Sequence, residues 1–138
     1  MRTHTLRPQI SIAQSEHAQL LALAAAGSGN ASASAADELL AEIERARVVP
    51  DAKLKPDVVR MGSRVHYRTD RHDLVDVTLV YPAQADISQA KISVLTPIGA
   101  ALIGLKTGQS ITWRSRDDRK QVLTVLAVFQ AVEEAVEL

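Results

Sequence analysis

The periodicity of the apolar residues changes once along this chain, at a connection bounded by Pro50 and Pro56. Before this connection, apolar residues recur at offsets of three and four, as on one face of an α-helix. After it, they alternate with polar residues, as on a half-buried β-strand. Proline cannot continue a helix, because it has no amide hydrogen and its ring clashes with the preceding turn. We therefore predict two regions, residues 1–52 and 53–138, with an α+β fold overall.

The sequence pattern of the first region predicts a short antiparallel helical hairpin, that is, a coiled-coil arm. Its first helix covers residues 15–26, and its apolar face is formed by Ala18, Leu21, Ala22 and Ala25. Two glycines and an asparagine then interrupt the helix, because these residues favour turn conformations. The arm tip is accordingly predicted at Gly27, Ser28, Gly29 and Asn30.

The second helix of the arm begins with a capping signal. Ser34 is predicted as the N-cap, with Asp37 three residues later as the acidic partner of a capping box. Glu38 and Glu42 form a like-charge pair on the outer face, so that face is not tuned for helix stability alone. The opposite face is predicted to carry four apolar residues and one arginine, which are Ala36, Leu39, Leu40, Ile43 and Arg47.

The second region predicts an antiparallel sheet of about five strands with one short helix. Thr96 and Pro97 mark the start of this helix, since threonine is a good N-cap and proline suits the first helical position. Gly104 ends the helix, as a left-handed cap would. The last strand is apolar on both faces, which places it inside the sheet. The predicted strands cover residues 64–68, 75–79, 91–95, 110–115 and 121–129, and the helix covers residues 98–103.

Composition excludes several classes of protein. The chain has no cysteine, which rules out disulfides and thiolate zinc sites. Its longest apolar run, residues 20–26, is far shorter than the roughly 18 residues that span a bilayer, and its first residues lack the apolar core of a signal peptide. We expect a cytoplasmic protein with no membrane contact. Sixteen basic residues balance sixteen acidic ones, which argues against direct nucleic-acid binding.

Candidate catalytic and metal-ligating residues are few. The sequence has neither a phosphate-binding glycine loop nor a histidine in a nucleophile context. His66, Asp70, His72 and Asp73 could be drawn as a metal site, but the neighbouring arginines disfavour a divalent ion. The sequence therefore predicts no catalytic residue, no cofactor and no metal.

One concentration of positive charge stands out, and it is formed by Arg60, Arg64, Arg68 and Arg71 around the first predicted strand. Two interpretations remain open for it. It is either a solvated strand face or a docking surface for an acidic partner.

Residues 57–65, 80–83 and 93–108 resemble the C-terminal domain of bacterial Gre transcript-cleavage factors, and in particular the Rnk-type members named as regulators of nucleoside diphosphate kinase. The resemblance covers about half of the chain, and the short predicted arm is similar to the Rnk-type layout. It implies an FKBP-like domain that docks on RNA polymerase near its secondary channel. The implied docking residues are Leu95, Thr96, Pro97 and Ile98, together with Arg60, Arg64 and Arg68.

Two features depart from the Gre pattern. Gre docking loops tend to read Asp-Ser-Pro or Asn-Ser-Pro, whereas this chain has Leu95, Thr96 and Pro97. In Gre factors, acidic residues at the arm tip help to hold a catalytic magnesium in the polymerase, but residues 27–33 here contain no carboxylate. The resemblance thus implies a monomeric, non-enzymatic regulator that competes with Gre factors without stimulating cleavage.

Two alternatives stay open. The protein could regulate another protein, such as nucleoside diphosphate kinase. It could also be an FKBP-type prolyl isomerase, although such pockets are lined by aromatic groups and only Tyr67, Tyr81, Trp113 and Phe129 are present.

Overall fold

A helical hairpin packs against a five-stranded sheet with one short helix in the computed structural model, which describes residues 6–27, 33–115, 117 and 119–130. The predicted α+β class, the hairpin and the five strands are confirmed. Three 3-10 turns, at Asp51–Lys53, Pro82–Gln84 and Ile87–Gln89, occupy connections. The other elements are β1 Ser11–Ala13, α1 Gln14–Gly27, α2 Ala33–Arg45, β2 Arg47–Val49, β3 Arg64–Thr69, β4 Leu74–Val80, β5 Lys91–Ser93, α3 Pro97–Leu102, β6 Ser110–Arg114 and β7 Lys120–Phe129.

The main sheet is mixed, although the sequence predicted an antiparallel one. Its strand order is β5-β4-β3-β7-β6, and β4 and β5 are parallel neighbours whereas the other pairs are antiparallel. The connection 81–90 crosses over with two 3-10 turns, so β5 runs in the same direction as β4. Strand β7 lies between β3 and β6, which confirms its predicted interior position.

A second, two-stranded sheet joins the two ends of the hairpin. Strands β1 and β2 are parallel, with Ser11 opposite Arg47 and Ala13 opposite Val49. Each strand has three residues, which is too short to give a period-two signal, and the sequence did not predict them. This strand pair fixes the points at which the chain enters and leaves the hairpin.

Helix α1 buries a different face from the predicted one. Ala18, Leu21, Ala22 and Ala25 are exposed. The buried residues are Glu16, Leu20, Ala24 and Gly27. Because residues 20–26 are apolar all round the helix, periodicity alone does not select a face there. The contacts of Glu16 with Arg60 and Met61 select the side that is buried, and Leu20 lies on that side.

Helix α2 follows its predicted apolar face more closely, since Ala36, Leu39 and Ile43 are almost completely buried. It begins at Ala33, one residue before the predicted N-cap Ser34. It ends before residue 47, which belongs to β2. Glu42, predicted on the outer face, is buried.

The hairpin lies lengthwise against the body, by which we mean β3 to β7 with α3. Leu20 and Leu39 of the hairpin share one buried cluster with Leu102 and Leu123 of the body. The described part of the hairpin is therefore not a free arm, and the core continues across the predicted division at residues 52 and 53. Within the described ranges, no helix is long and apolar enough to span a membrane.

Two glycines allow close approaches that position α3. A Cβ at Gly99 would lie 2.2 Å from the Ser93 carbonyl oxygen, so no other residue fits there without movement of the backbone. Gly104 has a φ of +83°, which confirms the predicted left-handed cap, and its backbone accepts a hydrogen bond from the Ser11 amide. Helix α3 is thus held between β5 and β1.

We predict that Gly99→Ala lowers the free energy of unfolding by about 2 to 3 kcal/mol, because the new methyl group overpacks a backbone contact. Gly108→Ala is the comparison, since Gly108 has a φ of +93° but open space around it. It should cost only about 1 kcal/mol of backbone strain. Urea unfolding measures both variants, and equal losses would contradict the packing argument.

Candidate functional site

The predicted docking loop is a capped helix start. The Thr96 hydroxyl accepts a hydrogen bond from the Gly99 amide at 3.1 Å and donates one to the Ser93 carbonyl at 2.7 Å. Pro97 occupies the first turn of α3, and the predicted N-cap is confirmed. All four predicted loop residues, from Leu95 to Ile98, are half-buried. Because it is capped, the loop presents Pro97 and Ile98 in a fixed geometry.

A surface groove of about 730 Å³ adjoins this loop. Its apolar wall is able to accept an apolar side chain of a partner, and Ile87 at its edge is 82% exposed. Trp113 is the one aromatic side chain in the lining, which is a poor match to an aromatic prolyl isomerase pocket. The apolar lining consists of Ala85, Ile87, Ile92, Pro97, Ile98 and Trp113, and the polar lining of Lys91, Ser93, Thr96, Ser115, Asp117 and Gln121.

Leu95 differs from the rest of the loop because it faces the hairpin. Its side chain lies 3.6 Å from the position that a Cβ on Gly27 would occupy. Gly27, predicted as part of the arm tip, ends α1 at this contact. The other predicted tip residues, Ser28, Gly29 and Asn30, lie outside the described residues.

Arg64 and Arg68 lie with His66 on the outer face of β3, as the alternation predicted. Arg64 donates two hydrogen bonds to Asp76, at 2.9 and 2.6 Å. This contact is the main cause of a lowered Asp76 pKa. Asp76 was missed in the sequence, although its alternation with Val75 and Val77 places it outward. The net positive charge of this face is therefore smaller than the sequence suggested.

Arg60 lies apart from this face. Its Nε donates to Glu16 Oε2 at 3.1 Å, and the adjacent Met61 amide donates to Glu16 Oε1 at 3.2 Å. Glu16 is a buried residue of α1. Arg60 thus attaches the hairpin to the body, and the structure does not bring it together with Arg64 and Arg68.

The turn after β3 does not gather the four residues that were considered as a metal site. Asp70 accepts a hydrogen bond from the Val122 amide at 3.2 Å. His66 Nε2 lies 3.2 Å from Asp76 Oδ2 and its ring contacts Phe129. Across the described ranges, no three histidine or acidic side chains form a group that could hold a metal ion.

A second attachment is centred on Glu42. Its carboxylate accepts hydrogen bonds from Arg7 at 2.7 Å and from Arg45 at 2.6 and 3.0 Å. Arg45 also donates to the Pro8 carbonyl at 2.7 Å, so α2 is tied to the N-terminal segment. The like-charge pair with Glu38 was the signal in the sequence that this position has a role beyond helix stability.

The three remaining acids of α2 differ in their exposure. Glu38 lines a cavity between α2, α3 and β6, and burial together with the nearby Glu42 carboxylate raises its pKa. Asp37 and Glu44 are exposed on α2. Asp37 is thus the one exposed acid in the first two turns of α2.

We predict that Glu42→Gln lowers the free energy of unfolding by about 2 kcal/mol, because it removes a buried charge that two arginines share. Glu44→Gln, on the exposed side of the same helix, should change it by less than about 0.5 kcal/mol. Urea unfolding at neutral pH measures both. Equal stability of the two variants would show that the Glu42 contacts contribute nothing.

We predict a different pH response for Glu38→Gln. The folded pKa of Glu38 lies above its ordinary value of 4.5. At a pH between these two pKa values, the folded protein therefore binds more protons than the unfolded chain does. Stability is therefore lost as pH rises through the folded pKa. The variant should gain stability relative to the natural protein as the pH rises from about 4 toward neutrality. Urea unfolding across this range checks the sign, and a constant difference would contradict it.

Comparisons with known proteins agree with this architecture. A family model described as "Transcription elongation factor, GreA/GreB, C-term" matches residues 54–130, and one described as "Rnk N-terminus" matches residues 8–49. A regulator of nucleoside diphosphate kinase from Escherichia coli strain K12 is 47% identical over 79 residues, which are 56% of this chain and 58% of that protein. The transcription elongation factor GreA of Thermodesulfovibrio yellowstonii is 36% identical over 76 residues, or 54% of this chain and 48% of that protein.

A solved structure extends the match to most of the chain. The prokaryotic transcription elongation factor GreA/GreB from Nitrosomonas europaea superposes with a TM-score of 0.68 and 33% identity, covering 89% of this chain and 99% of that one. The matches to curated relatives span about half of their length. The chain belongs to the GreA/GreB transcription elongation factor family and to its Rnk-type branch.

Proposed function

We propose that this protein binds RNA polymerase near its secondary channel and competes there with Gre factors without stimulating transcript cleavage. Binding is assigned to the body, whose capped loop and groove offer a preformed apolar surface. Ile87 and Pro97 provide the apolar contacts, and Arg64 and Arg68 are assigned a separate polar contact from the outer face of β3. A preformed surface loses little conformational entropy on binding, which favours affinity.

The position of the hairpin carboxylates is the observation that supports the proposed lack of cleavage stimulation. Glu16 and Glu42 are buried in ion pairs that attach the hairpin. Glu38 lines a cavity at the body. Magnesium prefers carboxylate oxygens that remain free to coordinate it, whereas Glu16 and Glu42 already accept hydrogen bonds from arginines. Residues 27–33 contain no carboxylate, and Asp37 is the one exposed acid in the first two turns of α2. The hairpin therefore offers the polymerase fewer free carboxylates than a tip that carries acidic residues.

A second candidate function is regulation of another protein. The relative from Escherichia coli is named a regulator of nucleoside diphosphate kinase, and it matches 79 residues of this chain at 47% identity. The same apolar groove would serve such a partner. Binding of that kinase in place of polymerase would favour this candidate.

The test uses the whole protein with core RNA polymerase and a Gre factor. We expect the protein to co-migrate with polymerase in size-exclusion chromatography and to be displaced by the Gre factor. On a backtracked complex, we expect it to reduce Gre-stimulated cleavage and to cause no cleavage itself. Failure to bind polymerase contradicts the proposed binding. Cleavage in the absence of the Gre factor contradicts the proposed lack of cleavage stimulation.

We predict that Pro97→Asp weakens polymerase binding by about tenfold, because it places a charge in the apolar groove. The helix should remain folded, since aspartate is favourable in a first helical turn. The matched control is Val48→Asp, which puts the same charge on an apolar residue of β2 that is 44% exposed. The affinity for polymerase and the circular dichroism spectrum are measured for both variants. Equal losses of affinity would show that the loop is not part of the interface.

A further inference from the structure

The outer face of the main sheet exposes several large apolar side chains. Directly opposed residues of neighbouring strands point to the same side of a sheet. Leu74 is opposite Arg68, and Phe129 is opposite Arg64, so both share the face of these arginines. Leu74 is 74% exposed, Phe129 is 49% exposed and Leu126, at the register shift of the β3–β7 pair, is 38% exposed. Exposed apolar side chains that are grouped on one face mark an interaction surface.

The charges of this face are only partly compensated. Arg64 is paired with Asp76, so these two residues add no net charge, and His66 lies beside the same carboxylate. The turn at residues 70–73 carries two aspartates, one arginine and one histidine, so it adds no net positive charge at neutral pH. Arg68 is exposed and has no ion-pair partner within the described ranges. The face therefore combines apolar side chains with one cation that an acidic segment could pair.

Residues 131–138, which follow β7 in the sequence, have a pattern that fits this face. Placed on a helix, the apolar residues of this segment fall on one side, and they are Ala131, Val132, Ala135, Val136 and Leu138. Glu133, Glu134 and Glu137 fall on the other side, next to the edges of the apolar stripe. A helix of this length is not stable in isolation, so the pattern requires a surface to pack against.

The end of β7 brings this segment to the outer face. The Gln130 side chain donates hydrogen bonds to two backbone carbonyls and accepts one from a hydroxyl, all within residues 56–63 and all at 2.8 Å. The chain therefore leaves the sheet at a fixed point next to Phe129. Thr124, the residue opposite Arg68, lies about 17 Å back along β7. Eight residues span up to about 26 Å when extended and about 12 Å as a helix, so a glutamate of the segment is able to reach the long arginine side chain.

We propose that residues 131–138 pack as an acidic amphipathic segment against the outer face of β3 and β7 of their own chain. The apolar side of the segment contacts Phe129 and Leu126, and a glutamate at its edge pairs with Arg68. Because Arg68 is also assigned a polar contact with polymerase, the segment competes with polymerase for this face. The competition rests on the proposed function, whereas the packing of the segment does not.

A spin label at position 138 tests the packing in the full chain. The chain has no cysteine, so Leu138→Cys provides a single attachment site, and the apolar label keeps the position apolar. We expect the label to broaden the NMR signals of the Arg68 and Leu126 amides. The amide of Leu21, on the exposed side of α1, should stay sharp. Sharp signals at both Arg68 and Leu126 would overturn the proposal.

A mixing experiment separates packing within one chain from contact with a second copy. Spin-labelled protein without isotopes is mixed with isotope-labelled natural protein, so that any broadening must come from another molecule. We expect the Arg68 and Leu126 signals to remain sharp in this mixture. Broadening there would show that the segment reaches the outer face of a second copy, and it would overturn packing within the chain.

Charge variants then locate the polar contact. Arg68→Glu is expected to lower the fraction of molecules with a covered face by about threefold, because one exposed ion pair typically changes an equilibrium by such a factor. Arg47→Glu makes the same change of charge at an exposed position of β2 and should leave the broadening unchanged. Equal broadening of the Leu126 amide with and without Arg68→Glu would overturn the assignment of Arg68.

Polymerase affinity is measured last, for a full-length variant in which Glu133, Glu134 and Glu137 are replaced by glutamine. We expect this variant to bind about threefold more tightly than the natural protein, because the covered fraction no longer competes. An unchanged affinity would overturn the competition. If neither protein binds polymerase, the proposed function fails, but the spin-label experiment still decides whether the segment covers the outer face.

Discussion

The carboxylate of Glu16 is the contact on which the placement of the hairpin depends. It accepts from the Arg60 side chain and from the Met61 backbone, just before the central strand begins. A buried charge is costly unless it is paired and hydrogen-bonded, so this contact strongly favours one position of α1. With α1 in that position, Leu20 and Leu39 enter the common core and α2 reaches α3. The cavity at the junction follows from the same placement.

This placement also determines what the acids of the hairpin can do chemically. A carboxylate that is paired with arginine inside a protein is a poor ligand for a metal ion in a partner, because its lone pairs already accept hydrogen bonds. In this chain the paired acids, Glu16 and Glu42, are therefore structural. Glu16 fixes α1 to the segment that leads into β3, and Glu42 links α2 to Arg7 of the N-terminal segment.

Local signals in the sequence predicted most of the fold. The β3–β4 hairpin follows from alternation, β7 follows from a long segment that is apolar on both faces, and the start of α3 follows from the chemistry of Thr96 and Pro97. The strands β1 and β2 were not predicted, because three residues are too few to show the alternation of a β-strand. The prediction of the buried face of α1 was wrong, because an alanine-rich helix has no polar side that would mark its exposed face.

The candidate site was predictable to a smaller extent. The groove beside Pro97 includes predicted loop residues, but Ile87 and Trp113 join it through sheet register and strand order. Arg60 was grouped with Arg64 because the two are close in sequence, whereas its partner Glu16 is 44 residues away. Such long-range pairs depend on how the hairpin packs, which no local pattern specifies.

The parallel pair of β1 and β2 has a consequence for how this architecture can vary. It joins the two ends of the hairpin at a single point, so a longer insertion between them would not alter the register of the body. Closing a longer flexible segment costs little, about 0.6 kcal/mol for each doubling of its length. Whole helical turns could therefore be added beyond Gly27 while the base stays closed. Arm length is then a modular property of the fold, which can change in evolution without redesign of the sheet.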